Sequence, residues 1–192
     1  TTTAFLLAQA SDFLGRRGWY VGTLGHGHPG NVREAGLTTP DAVTVQRRLA
    51  EARDEGASTL RLEVSSHALD QDRVAGVSFD TAVFTNLTRD HLDYHGTLEA
   101  YGAAKTRLFH APGLRCAVIN VRDPFGRDLV ERLDPALEKI VYTTANDVWA
   151  WSFTRIHPAH SRNCSLRVAP TRVAGCSACS AVAATAIPAS DR

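Results

Sequence analysis

The sequence FDTAVFTNLTRDHLDYHG at residues 79–96 begins as an apolar stretch and ends in a dense run of polar side chains. Its first part predicts a strand from Phe79 to Thr85, because aromatic and β-branched residues predominate there. A helix is predicted from Leu98 to Phe109 and a second strand from Arg115 to Asn120. The order strand, helix, strand is typical of the βαβ units that build parallel sheets. We therefore predict an α/β fold with a doubly wound, mostly parallel sheet.

The same alternation continues on both sides of this stretch. Hydrophobic periodicity and Gly or Pro boundaries predict helices from Thr1 to Arg17, Ala42 to Glu55 and Phe125 to Leu133, strands from Trp19 to Leu24, Ser58 to Val64 and Lys139 to Thr143, and a loop from Gly25 to Gly36. The loop carries His26 and His28, which we expect to be exposed. Ligands of doubly wound sheets bind beyond the carboxyl ends of the strands, so functional residues are expected there.

Composition and charge exclude several classes of protein. The 192 residues include 21 basic and 20 acidic side chains and four cysteines, and the formal net charge is +1. Such a balance does not suit a general nucleic-acid binder, and no apolar run reaches the roughly 20 residues that cross a bilayer. Four unevenly placed cysteines do not make a disulfide framework. We expect a monomeric cytoplasmic protein without a nucleic-acid partner or membrane insertion.

The alternating pattern stops near Val148. The stretch from Trp149 to His160 is compatible with a strand, but Ser161 to Arg192 shows neither helical nor strand periodicity. Such composition is typical of a disordered segment, and a shifted reading frame in a GC-rich gene also produces it. We therefore predict a folded domain at residues 1–148 and a disordered or frameshifted tail at residues 149–192. The absence of methionine from the whole sequence indicates a fragment.

Two polar clusters follow predicted strands. The first, Thr85 to Gly96, holds two histidines, two aspartates and an arginine within twelve residues. A ligand or metal explains such a run at a strand end better than a solvated loop with capping aspartates does. The second, Glu63 to His67, places a carboxylate at a strand tip, where a residue can hold Mg²⁺ beside a nucleotide. Serine-rich strand ends also serve as helix caps.

Two further residues have ordinary interpretations from their spacing alone. Thr1 opens a predicted helix, where a threonine hydroxyl acts as an N-cap unless a Gly-rich loop and a lysine precede it to make a phosphate site. Lys105 lies on a helix with an apolar pattern. From this position we expect its ammonium to extend to solvent.

Several motifs, taken in order, resemble the central domain of the Mur ligases. The resemblance covers Thr1 to about Asn146, and it is strongest to the members that add the third amino acid of the peptidoglycan precursor. It is carried by TTT at 1–3, LTTP at 37–40, EVSSHAL at 63–69, Gln71 with Arg73, the run from Thr85 to Gly96, AAK at 103–105, and Asn120.

The resemblance implies a fold and an activity. The fold would be the P-loop-like central domain without its first strand and Gly-rich phosphate loop, which would lie upstream of Thr1. The activity would be ATP-dependent amide ligation, in which a carboxylate of UDP-MurNAc-L-Ala-D-Glu becomes an acyl phosphate that an amino acid then attacks. ATP and Mg²⁺ would be the cofactors. Diaminopimelate is favoured over lysine because the composition suggests a GC-rich bacterium, and we expect the isolated chain to be inactive.

The resemblance also implies roles for individual residues. Thr1 and Thr2 would bind the nucleotide, and Asn120 would lie near the adenine. Catalysis would rest on Lys105, His91 and Glu63. Mg²⁺ would be held by Thr1, Glu63, His91 and Lys105, the lysine as a carbamate formed with CO₂. The UDP-muramoyl-dipeptide would be bound by Thr38, Thr39, Ser65, Gln71 and Arg73.

Two other interpretations stay open from the sequence. The chain could be a catalytically inactive remnant that binds a nucleotide or a UDP-sugar. It could also belong to a related ligase, such as a folylpolyglutamate synthetase. The endings Asp93 to Gly96 and Ser65 to His67 favour the tripeptide-forming members over these relatives.

Overall fold

The computed structural model describes residues 1–34, 36–144, 151–157, 160–168 and 181–186. Within these residues the helices are α1 Thr2–Phe13, α2 Ala42–Asp54, α3 Ser66–Asp70, α4 Leu92–His95, α5 Leu98–Thr106 and α6 Pro124–Arg132, with a 3₁₀ turn at Arg107–His110. The strands are β1 Gly18–Gly22, β2 Gly25–His28, β3 Asn31–Arg33, β4 Thr59–Glu63, β5 Thr81–Phe84, β6 Cys116–Asn120, β7 Glu138–Thr144, β8 Trp151–His157, β9 His160–Val168 and β10 Ala181–Ala186. None of the described helices has the length and apolar character needed to cross a membrane.

The strands form one sheet in the order β3-β2-β1-β4-β10-β5-β6-β7-β8-β9. β1 pairs in parallel with β4, β5 with β6, and β6 with β7. β10 is antiparallel to both β4 and β5, so those two strands run in the same direction on either side of it. The five strands that alternate with helices therefore share one direction, and the predicted α/β fold is confirmed. Their carboxyl ends lie at one edge of the sheet.

Helices pack on both faces of the sheet. The larger core lies on one face, where α2, α3, α6 and the 3₁₀ turn meet side chains such as Trp19, Leu62 and Phe84. On the other face α1 packs its small residues against Tyr20 and Val83. Successive strand residues point to opposite faces, so Tyr20 contributes to a different core from its neighbour Trp19.

The hairpin of β2 and β3 lies within the stretch predicted to be a loop, so that part of the prediction is wrong. Gly25 and Gly27 have φ of 127° and 136°. A Cβ atom on Gly25 would lie 2.1 Å from the backbone oxygen of Arg33, and one on Gly27 would lie 2.6 Å from that of Asn31. The glycines that suggested a loop therefore allow two strands to approach each other closely.

The two histidines of β2 have different surroundings. His26 is 4% exposed, and its Nε2 lies 3.9 Å from a carboxylate oxygen of Glu51 on α2. His28 is partly exposed and lies 3.1 Å from Asp12. The expected exposure is therefore wrong for His26, because β2 pairs with β1 and α2 covers one side of the hairpin.

Three strands lie in the region predicted to be an irregular tail. Regular structure occurs in β8, and also in β9 and β10, where the sequence shows no periodicity. β8 agrees with the strand that the stretch from Trp149 to His160 allowed, whereas β9 and β10 differ from the prediction. Residues 145–150, 158–159, 169–180 and 187–192 lie outside the described residues. Pairing supplies the reason for β10, because it forms backbone ladders with β4 on one side and β5 on the other. Such pairing does not depend on an amphipathic pattern.

Gly126 allows α6 to pack closely against the end of β6. A Cβ atom on Gly126 would lie 2.0 Å from the backbone oxygen of Asn120 and 3.1 Å from the ring of Phe84. The oxygen belongs to the backbone, so it cannot move aside as the end of a flexible side chain can. This contact fixes the distance between α6 and the functional edge of the sheet.

We predict that Gly126→Ala destabilises the chain by about 2 kcal/mol or more, because overpacking against backbone outweighs the roughly 1 kcal/mol by which alanine favours a helix. Gly36→Ala is the matched control, since no described heavy atom lies within 4 Å of its added Cβ. Urea unfolding of both variants measures the difference. Equal midpoints for the two variants would contradict the prediction.

Candidate active site

The carboxylate of Glu63 lies at the carboxyl end of β4, and the residue is 3% exposed. Its Oε1 accepts hydrogen bonds from the hydroxyl of Tyr20 and from the backbone N–H of Thr23, the second at 3.2 Å. Its Oε2 accepts from the hydroxyl of Thr1 at 3.1 Å and from that of Thr23 at 3.2 Å. Burial is the main cause that raises the pKa of Tyr20, and the hydrogen bond to Glu63 raises it further. The phenol therefore stays protonated and donates at neutral pH.

Hydroxyl groups of three threonines continue outward from Oε2. The hydroxyl of Thr1 lies 3.2 Å from that of Thr23, which in turn lies 3.0 Å from that of Thr38. Thr1 occupies the N-cap position of α1, but in the described part of the chain its hydroxyl makes no capping bond. The N-cap interpretation from spacing is therefore wrong, because the carboxylate of Glu63 engages this hydroxyl instead.

The groups around Oε2 fit a hard divalent cation. Mg²⁺ prefers oxygen ligands, and here a carboxylate and threonine hydroxyls supply them. Among the described residues, no three His, Cys, Asp or Glu side chains form a metal-binding group. A cation at Oε2 would therefore be held by this carboxylate and the hydroxyls, with its other oxygens coming from water or from a ligand.

A network of hydrogen bonds joins the residues predicted to bind substrate. The hydroxyl of Thr39 donates to the backbone oxygen of Glu63 at 2.7 Å and accepts from the N–H of Ser65 at 3.0 Å. Arg73 donates through Nη1 to the backbone oxygen of Thr39 at 3.0 Å, and through Nε to Gln71 at 2.9 Å. Thr39 is buried beneath this network, whereas Gln71 is exposed.

Five rings pack together beyond α3, and we call them the ring cluster: His67, His91, Tyr94, His95 and Tyr101. The ring of His67 lies 4.1 Å from Tyr94 and 5.0 Å from His91, and the ring of His95 stacks on Tyr101 at 5.2 Å. Burial lowers the pKa of His67 and of His95, and the neighbouring His91 lowers both further. The environment therefore favours neutral imidazoles at these two positions.

Lys105 of α5 is 1% exposed, so the expectation of a solvated lysine is wrong. Its Nζ lies 4.4 Å from the centre of the Tyr101 ring and has no hydrogen-bond partner among the described residues. Burial lowers the pKa of Lys105 to about 7, although the charges of Asp90 and Asp123 oppose this effect. The helical pattern could not indicate the burial, because α3 and α4, which pack against α5, are separate segments of the chain.

Asn120 ends β6, and the protein itself engages both ends of its side-chain amide. Nδ2 donates to the backbone oxygen of Thr85 at 2.8 Å, and Oδ1 accepts from the N–H of Arg122 at 3.0 Å. The side chain therefore joins the segments that follow β5 and β6. Thr2, the other residue predicted to bind nucleotide, lies in the first turn of α1 and is partly buried.

The structure gathers the four predicted metal ligands into two groups. Thr1 and Glu63 are in direct contact in the first group. In the second, His91 and Lys105 both contact Tyr101, with the ring of His91 5.8 Å from that of Tyr101. The groups are connected through the turn after β4, where the hydroxyl of Ser66 lies 2.9 Å from Nε2 of His95.

Three residues of the site were missed in the sequence. Tyr20 was assigned only to a strand. A buried tyrosine hydroxyl usually has a hydrogen-bond partner, so a tyrosine in a buried strand could have indicated a polar contact there. Thr23 follows the carboxyl end of β1, which is one of the positions where function was expected. Tyr101 belongs to the apolar face of α5 by its spacing, and nothing in that pattern distinguishes it from a core residue.

Residues 1–176 match the family described as the Mur ligase middle domain. The chain is 55% identical over 141 residues to the UDP-N-acetylmuramoyl-L-alanyl-D-glutamate–2,6-diaminopimelate ligase of Chromobacterium violaceum. The aligned residues are 73% of this chain and 29% of that protein. It is 58% identical over 132 residues to the ligase of the same name from Ectopseudomonas mendocina. This alignment covers 69% of this chain and 27% of that protein.

A solved structure of a ligase with the same name also matches this fold. The TM-score is 0.69 with 31% sequence identity, and the match covers 86% of this chain and 36% of that one. The chain thus spans under a third of the length of these two curated relatives. The resemblance inferred from the motifs is confirmed, and the chain belongs to the Mur ligase family, through its middle domain.

Proposed function

We propose that this chain supplies the nucleotide- and Mg²⁺-binding part of an ATP-dependent ligase that adds diaminopimelate to UDP-MurNAc-L-Ala-D-Glu. The observation that carries the proposal is Lys105, a buried amine without a hydrogen-bond partner among the described residues, beside a cluster of three imidazoles. Lysine is almost never fully buried without a partner for its ammonium group. A role in catalysis or ligand binding therefore explains the burial of Lys105 better than packing does. Relatives with 55% and 58% identity carry the name of this reaction.

The proposed reaction has two steps. The γ-phosphoryl group of ATP passes to a carboxylate of the D-glutamyl residue, which gives an acyl phosphate and ADP. The amine of diaminopimelate then attacks the acyl carbon, and phosphate leaves. Both steps bring anionic groups together, so positioned donors and positive charge lower the barrier. Bound Mg²⁺ would neutralise phosphate charge and polarise the phosphoryl group.

The residues around Glu63 are proposed to hold that cation and to orient the phosphates. Oε2 of Glu63 faces the hydroxyls of Thr1 and Thr23, which are oxygen ligands of the kind that Mg²⁺ takes. The N-terminus of α1 begins at the same place, and its unpaired backbone N–H groups attract phosphate. Thr2 and Asn120 are proposed to contact the nucleotide.

The amine of Lys105 is proposed to react with CO₂. The nitrogen lone pair forms an N–C bond and one proton is released, so the amine becomes an anionic carbamate with two oxygens. The reaction needs a neutral amine, and burial supplies it by lowering the pKa of Lys105 to about 7. These oxygens, together with His91, would hold a second Mg²⁺.

The network around Arg73 is proposed to bind the UDP-muramoyl-dipeptide. The guanidinium is held by Gln71 and by the backbone oxygen of Thr39, so it presents a fixed positive charge to an anionic substrate. Thr38 and Ser65 are proposed to add hydroxyl contacts. Thr39 is buried, so its proposed part is to hold Ser65 and Arg73 in place. From the charge and cysteine content we also propose a monomeric, cytoplasmic protein.

A chimera tests the proposed activity. The aligned 141 residues of the C. violaceum ligase are replaced by those of this chain, and release of phosphate from ATP is measured with UDP-MurNAc-dipeptide and diaminopimelate. We expect turnover that depends on both substrates. The 192-residue chain alone is expected to be inactive, because it spans under a third of such a ligase and positioning is a large part of this catalysis.

In the chimera, Arg73→Ala is expected to raise the KM for UDP-MurNAc-dipeptide about tenfold, the effect of losing roughly 1.4 kcal/mol of binding. Arg53→Ala is the control, because Arg53 is exposed and its side chain bonds to Asp54. A folded but inactive chimera, or equal KM values for the two variants, would contradict the proposal.

A second prediction concerns stability in buffer free of CO₂. The unfolded chain binds a proton at Lys105 up to about pH 10.5, while the folded chain releases it near pH 7, so stability rises with pH between these values. We predict that Lys105→Met is more stable than the parent by about 5 kcal/mol below pH 7, and that the difference shrinks as the pH approaches 10.5. Denaturant unfolding across this range measures it.

Lys139→Met is the control for that experiment. Lys139 is also buried, but its Nζ donates to the backbone oxygen of Leu133 at 3.2 Å, so its removal leaves a buried acceptor unpaired. We expect this variant to be less stable than the parent. A Lys105→Met variant that loses stability in the same way would contradict the predicted burial of an unpaired amine.

The carbamate has its own test, because the sequence contains two lysines, Lys105 and Lys139. With ¹³C-labelled bicarbonate at about pH 8, we expect a protein-bound carbamate resonance from Lys105 in the ¹³C NMR spectrum, besides one from the α-amine that all variants share. The Lys105 resonance should disappear in Lys105→Met and persist in Lys139→Met. Retention of the resonance in Lys105→Met would refute the assignment of the carbamate to Lys105.

A further inference from the structure

We infer that Tyr20 is a positioning residue that anchors one oxygen of the Glu63 carboxylate and thereby presents the other to a divalent cation. The inference deepens the proposed function and rests on it, because it takes Glu63 as a ligand of Mg²⁺. It assigns a task to a buried side chain of β1 that the proposed reaction leaves unused. The argument rests on which donors reach each of the two oxygens.

Oε1 is the oxygen that faces the protein. It accepts from the hydroxyl of Tyr20 and from the backbone N–H of Thr23. Tyr20 is fully buried, with its ring held edge-on against Phe5 of α1 at 5.3 Å between ring centres. The hydroxyl also accepts from the N–H of Leu24 at 3.2 Å, which fixes the direction in which it can donate.

Oε2 is the oxygen that faces the threonine hydroxyls. Among the described residues it accepts from the hydroxyls of Thr1 and Thr23. Among the described residues, Tyr20 bonds to Oε1 and not to Oε2. Thr23 bonds to both oxygens, to Oε1 through its backbone N–H and to Oε2 through its hydroxyl. Rotation of the carboxylate would exchange these partners, and Tyr20 opposes that rotation.

Gly22 completes the enclosure of Oε1. A Cβ atom on Gly22 would lie 2.2 Å from Oε1 of Glu63 and 2.4 Å from the hydroxyl oxygen of Tyr20. The space that a side chain would fill is therefore used by the hydrogen bond between these two residues. Because the contact is with the ends of side chains, an added methyl group would displace the carboxylate while the backbone of β1 stays in place.

The test is Mn²⁺ binding by the full chain. Binding is measured as the decrease of the free Mn²⁺ signal in electron paramagnetic resonance. We expect Glu63→Gln to abolish most of the binding. Tyr20→Phe keeps the ring but removes the donor, and we expect it to weaken Mn²⁺ affinity about tenfold, as loss of a group that orients a metal ligand typically does. Gly22→Ala should weaken binding to a similar extent by the second route.

Tyr142→Phe is the matched control. Tyr142 is also a buried tyrosine of the sheet, but its hydroxyl donates to the backbone oxygen of Phe84 at 3.4 Å. We expect its Mn²⁺ affinity to equal that of the parent. Thermal unfolding of the Tyr20 and Tyr142 variants without metal separates a loss of fold from a loss of affinity. If Tyr20→Phe does not fold, the Mn²⁺ affinity of Gly22→Ala tests the inference instead.

The double variant of Tyr20→Phe with Glu63→Gln shows whether Tyr20 acts through Glu63. We expect the effect of Tyr20→Phe to fall below about twofold in the Glu63→Gln background, because the carboxylate that it orients is gone. Unchanged affinity in both Tyr20→Phe and Gly22→Ala, while Glu63→Gln still weakens binding, would overturn this inference and leave the proposed function standing. Binding that does not depend on Glu63 would overturn both.

Discussion

The buried carboxylate of Glu63 is the constraint on which the rest of the site depends. A carboxylate loses favourable hydration when it is buried, so it must recover hydrogen bonds from the protein. Among the described residues, donors come from Tyr20 inside β1, Thr23 just after that strand, and Thr1 at the start of α1. One side chain thus holds two strands and a helix in register at the functional edge of the sheet.

A second requirement arises at Lys105, where an amine is buried without a counter-ion in contact among the described residues. Its burial favours the neutral form, and the nearby imidazoles of His67 and His95 are also pushed towards neutrality. A region that disfavours cationic side chains would gain from an anionic group that brings in a metal ion, and a carbamate is such a group. The two halves of the site therefore treat charge differently. Hydrogen bonds stabilise the negative charge of Glu63, whereas burial disfavours the positive charge of Lys105.

Much of the fold was accessible from local pattern. The strands β4, β5 and β6 were predicted within two residues at each end, because apolar residues bounded by turn formers make a strong local signal. The hairpin of β2 and β3 was not predicted, since its glycines signal a turn without showing that strands pair across it. β10 lies between two strands that are distant in sequence, and its pairs with β5 join residues that are 97 or more positions apart.

For the site, the sequence by itself determined which residue types follow each strand: Glu63 after one, the histidine-rich run after the next, and the family that such an order indicates. Only the tertiary structure decided which atoms meet. It buried Lys105, which spacing assigned to solvent, and it placed Tyr20 against Glu63 across 43 positions of sequence. The physical reason is that periodicity reports which face of an element a side chain occupies. What covers that face, and hence its dielectric surroundings and partners, is set by segments remote in the chain.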